Sequence, residues 1–186
     1  LMKRDNLNSL NIQSISGNLT CTKTDNVVTV NMGEPKFDWK DIPLASQQNT
    51  QKVLLDEFEA FCLSMGNPHA VIFMQNLDEL ESLNLNVVGP RLEKNINFPE
   101  FTNIEFACVL EDKTIRMRVW ERGVGVTMAC GSGACATLVA AFKINKSSKS
   151  NKIILDGGSL FVEWLNNGNV TLSGDTEKVY EGLIGG

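Results

Sequence analysis

The 186-residue sequence predicts an α+β protein, and two observations support this. Short runs in which apolar and polar residues alternate recur along the chain, as in Ile115–Val119. One apolar run, Ala134–Phe142, contains Thr137 as its only polar residue. Alternation predicts strands with one buried face, whereas an apolar run without a polar face predicts a helix that is buried on nearly all sides. Several strands with few helices are typical of the α+β class.

Composition excludes several classes of protein. Apolar residues make up 42% of the chain and charged residues 21%, as in soluble globular proteins. The net charge of −5 comes without a basic block, which argues against nucleic-acid binding, and no apolar run is long enough to span a membrane. Five cysteines without CxxC spacing, and no secretory signal, predict free thiols in the cytoplasm. A single histidine without metal-ligand spacing predicts that there is no metal site.

The first half of the chain predicts strands before a short helix. Val53–Ser64 fits either a helix or a strand, and Pro35–Thr50 reads as a crossover. Asn76 and Glu79 form a capping box that starts the helix, and Gly89-Pro90 is expected to stop it. The predicted strands are Ile12–Thr20, Val27–Met32 and Ala70–Met74.

The second half predicts further strands around the buried helix. Lys143–Lys152 is polar and reads as a surface connector. The predicted strands are Asn103–Leu110, Ile115–Trp120, Ile153–Leu155, Leu160–Trp164, Val170–Ser173 and a closing strand, Val179–Ile184.

Cys130 is the leading candidate for a reactive residue because it directly precedes the buried helix. The first backbone N–H groups of a helix lack intrahelical partners, so they stabilise a thiolate and can hold a carboxylate. This predicts a pKa for Cys130 below the usual value of about 8.5. Glu121 and Arg122 could meet the ammonium and carboxylate groups of an amino acid. The alternative is that Cys130, like Cys135, is an inert core residue.

Several motifs resemble the diaminopimelate epimerase family. The stretch Glu121–Cys135 is similar to that family's second cysteine motif, and Met65–His69 is similar to its histidine motif. Other matching segments lie in the same order along the chain. They are Val30–Pro35, Gly89–Glu93, Phe98–Phe106, Gly157-Gly158 and Val179–Gly182.

The resemblance implies two similar lobes, each a curled mixed β-sheet around a central helix, with a cofactor-independent active site between them. Each lobe of the family contributes one cysteine, and Cys130 fits the second. His69 and Glu121 fit the groups that tune the thiols, so the implied catalytic residues are Cys130, His69 and Glu121. The implied substrate-binding residues are Asn67, Asn103, Glu121, Arg122, Gly131 and Ser132.

The family's first cysteine lies in a Cys-Gly-Asn-Gly stretch that this sequence does not contain. The resemblance therefore implies strands of a first lobe in residues 1–33, the second lobe in residues 34–178, and a closing strand returning to the first lobe in residues 179–186. Val126 stands where the family usually has glutamate, which could alter the polarity of the loop.

The implied function is inversion of LL-diaminopimelate to meso-diaminopimelate, with the chain alone expected to be inactive. The implied partners are this small-molecule substrate and a second copy of the chain, through the region near Tyr180. Three alternatives stay open. They are an isomerase of another amino acid or a phenazine-type substrate, a non-catalytic amino-acid-binding or interaction module, and a cysteine hydrolase that pairs Cys130 with His69.

Overall fold

The computed structural model describes residues 2, 7–14 and 17–182. In this part of the chain the strands are β1 Ser9–Ser14, β2 Gly17–Thr24, β3 Val27–Asn31, β4 Val53–Leu55, β5 Phe58–Ser64, β6 Pro68–Phe73, β7 Asn103–Val109, β8 Ile115–Glu121, β9 Gly125–Val126, β10 Ser150–Leu155, β11 Gly158–Trp164 and β12 Val170–Asp175. The helices are α1 Leu77–Ser82, α2 Leu85–Glu93 and α3 Gly131–Lys143.

All of these strands belong to one mixed sheet. Its order is β1-β2-β3-β12-β11-β10-β8-β7-β6-β5-β4, and β9 pairs with β8. The pairs β6–β7 and β8–β10 are parallel, and the other pairs are antiparallel. The predicted α+β class, with a mixed sheet and few helices, is confirmed.

Helix α3 is the centre around which the sheet curls. It contacts β5 to β8 and β10 to β12, and all of its residues from Gly133 to Ala141 are buried. Leu138 and Val139 lie in a core with Met117 and Val119 of β8 and Val162 of β11. The sequence lacks a polar face here because the sheet surrounds the helix.

The outer face of the same sheet packs against α1 and α2. This second core includes Ile104 and Phe106 of β7, Leu80 of α1 and Leu92 of α2. Strand β7 is buried on both faces, which explains its nearly continuous apolar sequence. Strand β8 alternates as predicted, because Arg116 and its outward neighbours face a more open surface.

Asn76 is the N-cap of α1 as predicted, but the Glu79 carboxylate reaches the residue before the cap and not the Asn76 N–H that a capping box requires. The backbone N–H of Glu79 donates to Asn76 Oδ1 at 2.8 Å, and the Gln75 N–H donates to Glu79 Oε2 at 2.8 Å. The predicted stop at Gly89-Pro90 is wrong, because α2 runs through both residues. Gly89 lies against the Trp120 ring, where an added Cβ would be 2.3 Å from the nearest ring atom. Close packing at Gly89 therefore outweighs the low helix propensity of this glycine.

The outcomes for three other segments follow. Val53–Ser64, which fitted either a helix or a strand, forms two strands, β4 and β5. The predicted strand Ile12–Thr20 is divided between β1 and β2, which pair with each other, and residues 15–16 lie outside the described residues. Residues 176–182 form no strand where the sequence predicted a closing one, and residues 183–186 lie outside the described part. None of the described helices has the length and apolar character needed to cross a membrane.

Candidate active site

Cys130 is the N-cap residue of α3. Its sulfur accepts a hydrogen bond from the backbone N–H of Gly133 at 3.4 Å and lies 3.6 Å from Ser132 Oγ. A thiol in this position takes the place of the hydroxyl or carboxylate that usually satisfies a free N–H at a helix start. The predicted placement of Cys130 at a helix N-terminus is confirmed.

The predicted low pKa of Cys130 is wrong. The side chain is buried, with 6% of the residue exposed. Burial, followed by the negative charge of Glu105, raises the pKa of the thiol to about 12, although the bonds to Ser132 and Gly133 oppose this shift. The free-energy cost of removing the thiolate from water is larger than the stabilisation that two weak hydrogen bonds give it. Cys130 is therefore held as a thiol at neutral pH.

His69 reaches the start of α3 through a chain of side chains. Its Nε2 lies 2.9 Å from Asn67 Oδ1, and Asn67 Nδ2 donates to Ser132 Oγ at 3.4 Å. Ser132 in turn lies beside the Cys130 sulfur. Four residues that the sequence analysis selected separately are thus joined, although 65 positions separate Asn67 from Ser132.

Glu105 belongs to the same cluster, and the sequence analysis missed it. Its Oε1 lies 2.7 Å from His69 Nδ1, and both side chains are fully buried. An added Cβ on Gly133 would be 2.7 Å from Glu105 Oε1 and 3.2 Å from the Cys130 sulfur, so the carboxylate and the thiol flank the same glycine. The available signal was a single charged residue within the apolar strand Asn103–Val109.

The loop after β8 carries Glu121 and Arg122. Glu121 Oε1 accepts a hydrogen bond from the Thr127 hydroxyl, and its charge is a minor cause of the raised Cys130 pKa. The Arg122 side chain is exposed and donates to the Glu100 carbonyl at 3.2 Å. Glu121 therefore lies within electrostatic range of the thiol, whereas the Arg122 guanidinium rests against a neighbouring loop.

Two buried side chains hold this loop. Asn103 donates to the Pro68 carbonyl at 2.8 Å and accepts from the Arg122 N–H at 2.9 Å, so it ties the histidine turn to the loop. Glu93 accepts from Trp120 Nε1 at 2.8 Å and from the Gly123 N–H at 2.7 Å. The Asn103 amide thus makes structural bonds at the position that the sequence analysis assigned to substrate binding.

The remaining predicted residues lie at the edges of the cluster. Gly131 is half-buried at the first position of α3, where an added Cβ would be 3.0 Å from Leu172 Cδ2. Cys135 is fully buried within α3, as expected of a core residue. Val126 and Tyr180 are exposed, and Tyr180 lies in a segment without regular structure, with 83% of the residue accessible.

Comparisons with known sequences point to one family. A sequence model of the family described as diaminopimelate epimerase matches residues 61–179, which include the whole cluster around Cys130. The diaminopimelate epimerase of Rhodospirillum centenum is 44% identical over 177 residues, covering 93% of this chain and 60% of the relative. That of Acidiphilium cryptum is 43% identical over 166 residues, covering 87% of this chain and 58% of the relative. The chain therefore spans about 60% of the length of these relatives.

Solved structures support the fold alone, because their sequences are only distantly similar. A putative phenazine biosynthesis PhzC/PhzF protein from Clostridium difficile has a TM-score of 0.65 at 15% identity, covering 97% of this chain and 66% of its own. A probable proline racemase from Agrobacterium radiobacter K84 has a TM-score of 0.60 at 15% identity, covering 90% of this chain and 57% of its own. The family assignment depends instead on the sequence matches, which run through the histidine turn, the loop after β8 and the start of α3. On this evidence the chain belongs to the diaminopimelate epimerase family.

Proposed function

We propose that this chain supplies one half of the active site of a diaminopimelate epimerase, with Cys130 as the acid–base group on one face of the substrate. The observation that carries the proposal is the position of the Cys130 thiol, protonated at the start of α3 and joined through Ser132 and Asn67 to His69. Relatives at 43–44% identity are named diaminopimelate epimerases.

Inversion of an α-carbon needs a base on one face and an acid on the other. In the proposed reaction a second cysteine, supplied by the rest of the protein, removes the α-proton as a thiolate. Cys130 then delivers its own proton to the opposite face and is left as the thiolate. The raised pKa of Cys130 suits the acid role in this direction, because the group enters the step carrying a proton. In the reverse direction the two cysteines exchange roles.

The substrate's amino-acid end must be held while negative charge develops on it. The free N–H groups at the start of α3, at Gly131 and Ser132, suit the α-carboxylate because helix N-termini favour anions. Asn67 would orient the amino-acid group, and Asn103 would keep the loop after β8 in place beside it. From that loop Arg122 would contact the carboxylate and Glu121 would meet the ammonium group. Fixed donors of this kind stabilise a carbanion more than they stabilise the ground state.

The hydrolase alternative has less support. A nucleophilic cysteine is usually activated by a histidine within hydrogen-bond reach. The hydrogen-bond partners of the His69 ring are Glu105 and Asn67, whereas Cys130 faces Ser132 and Gly133. A non-catalytic binding module is distinguished from an epimerase by the experiment below.

The experiment joins this chain to the part of the Rhodospirillum centenum relative that has no counterpart here, and follows the reaction in deuterated water. We expect inversion of diaminopimelate with deuterium incorporated at the α-carbon, and no turnover by the 186-residue chain alone. Cys130→Ser should abolish most turnover, because a hydroxyl is a far weaker acid and base than a thiol under these conditions. Cys108→Ser, on the opposite face of the sheet, is the matched control and should retain activity.

Two results would contradict the proposal. One is near-normal turnover by Cys130→Ser in the joined protein. The other is binding of diaminopimelate by the joined protein without any α-deuteration, which would indicate a binding module.

A further inference from the structure

Glu105 and His69 form a buried pair, and the proposed reaction gives Glu105 no role. The carboxylate is fully buried, and only its Oε1 has a hydrogen-bond partner among the described residues, namely His69 Nδ1 at 2.7 Å. Its Oε2 is buried and has no partner there. Because a buried carboxylate is costly unless it is paired, this half-satisfied group needs a specific counterpart.

The hydrogen bonds around His69 define where its protons lie. Asn67 Nδ2 donates to Ser132, so Asn67 Oδ1 faces the ring and can only accept. The ring Nε2 must therefore carry a proton. The short contact between Nδ1 and Glu105 Oε1 needs a second proton, and imidazole is intrinsically a stronger base than a carboxylate. Both ring nitrogens are then protonated, and the pair is an imidazolium with a carboxylate.

We propose that Glu105 is a positioning residue that holds His69 as an imidazolium and, through it, orients the Asn67 amide towards Ser132 at the start of α3. The relay runs from Glu105 to His69, Asn67 and Ser132, and ends beside the Cys130 sulfur. The value of this orientation for the substrate rests on the proposed function, whereas the protonation of His69 does not.

The groups that face the pair do not offer an alternative charge. On β5, Leu63 is the register partner of His69, and at the start of α3 lies Cys130, whose thiol is neutral at physiological pH because burial raises its pKa. On β8, Val119 is the register partner of Glu105, and on β6 its partner is Val71. Within the described part of the chain, His69 is the only basic group at salt-bridge distance from Glu105.

The test uses the fact that the chain contains a single histidine. With ¹⁵N-labelled histidine, the ring gives one pair of nitrogen signals, which report directly whether each nitrogen carries a proton. At neutral pH we expect both nitrogens of the 186-residue chain to be protonated. In Glu105→Gln the neutral amide no longer compensates a buried cation, so one ring nitrogen should lose its proton at the same pH.

Glu93→Gln is the matched control, because it neutralises a buried glutamate that is not a partner of His69. It should leave the histidine signals unchanged. The side-chain amide signal of Asn67, identified by its loss in Asn67→Ala, should move in Glu105→Gln and stay in place in Glu93→Gln. A purely structural role for Glu105 would change stability without changing the protonation of the ring.

An unprotonated ring nitrogen in the unmodified chain at neutral pH would overturn the proposal, as would a fully protonated ring in Glu105→Gln. If Glu105→Gln does not fold, the spectrum of the unmodified chain alone tests whether His69 is an imidazolium. No substrate is present in these measurements. A joined protein that fails to invert diaminopimelate while the imidazolium is observed would therefore contradict the proposed function only.

Discussion

The loop side and the thiol side of the site each contain a buried glutamate, and the protein satisfies the two differently. Glu93 accepts one hydrogen bond on each oxygen, from Trp120 Nε1 and the Gly123 N–H. Glu105 has His69 on one oxygen and no described partner on the other. A carboxylate with a hydrogen bond on each oxygen stabilises the loop that it holds. A buried carboxylate with one unpaired oxygen reduces stability, so its presence is better explained by a role in the adjacent site.

The largest effect that tests this comparison is expected at Glu93. In Glu93→Gln an amide NH₂ replaces one oxygen and faces an N–H donor, so one buried donor loses its acceptor. We expect the free energy of unfolding to fall by about 2 kcal/mol, measured by urea denaturation. The exposed Glu163→Gln serves as control and should change stability by less than about 0.5 kcal/mol. A loss at Glu93 no larger than that of the control would contradict the role assigned to it.

The next largest effect is expected in the packing around Trp120. The indole N–H of this residue donates to Glu93. An added Cβ at Gly89 would be 2.3 Å from the Trp120 ring, so Gly89→Ala forces the ring or α2 to move. Overpacking costs about 1–3 kcal/mol and alanine regains about 1 kcal/mol of helix propensity, so a net loss of up to about 2 kcal/mol is expected. Thermal unfolding followed by circular dichroism measures this. Greater stability in Gly89→Ala would show that the ring is not tightly held.

The thiol side should show a distinct dependence of stability on pH. The pKa of Cys130 is about 12 in the folded chain and about 8.5 when unfolded, so the unfolded state loses its proton first as pH rises. The contribution is therefore fully present below about pH 8.5 and is lost above it, by up to about 1.4 kcal/mol per pH unit. Comparison of urea denaturation at pH 8 and pH 10 for the native chain and Cys130→Ser isolates it, because serine does not titrate. Identical pH slopes would mean that the thiol is not desolvated as described.

The smallest change in stability is expected at Glu105. In Glu105→Gln the buried negative charge disappears together with its cost of desolvation, and the lost contact with His69 offsets that gain. We expect the free energy of unfolding to stay within about 1 kcal/mol of the native value, in contrast to the loss in Glu93→Gln. Urea denaturation of the two variants under identical conditions makes the comparison. A loss at Glu105 equal to or larger than that at Glu93 would remove the distinction between the two glutamates.

The local features of this chain were predictable because neighbouring residues decide them. The alternation in Ile115–Val119, the N-cap at Asn76 and the apolar run after Cys130 each depend on contacts within a few positions. The motifs around Cys130 and His69 were recognisable for the same reason, since their residues lie close together in the sequence. Together they were sufficient to predict the α+β class and the family resemblance.

Only the tertiary structure decided which residues meet and how their charges are balanced. The contacts of His69 with Glu105, and of Asn67 with Ser132, join residues 36 and 65 positions apart across β6, β7 and α3. The pKa of Cys130 is raised because the surrounding sheet buries the thiol deeply. This effect of burial outweighs the stabilisation of a thiolate by the helix start, which was all that the sequence could show. Helix α2 continues through Gly89 and Pro90, and Gly89 packs closely against Trp120, which lies 31 positions later in the sequence. Desolvation and packing are properties of the assembled neighbourhood, so a linear pattern of residues does not specify their outcome.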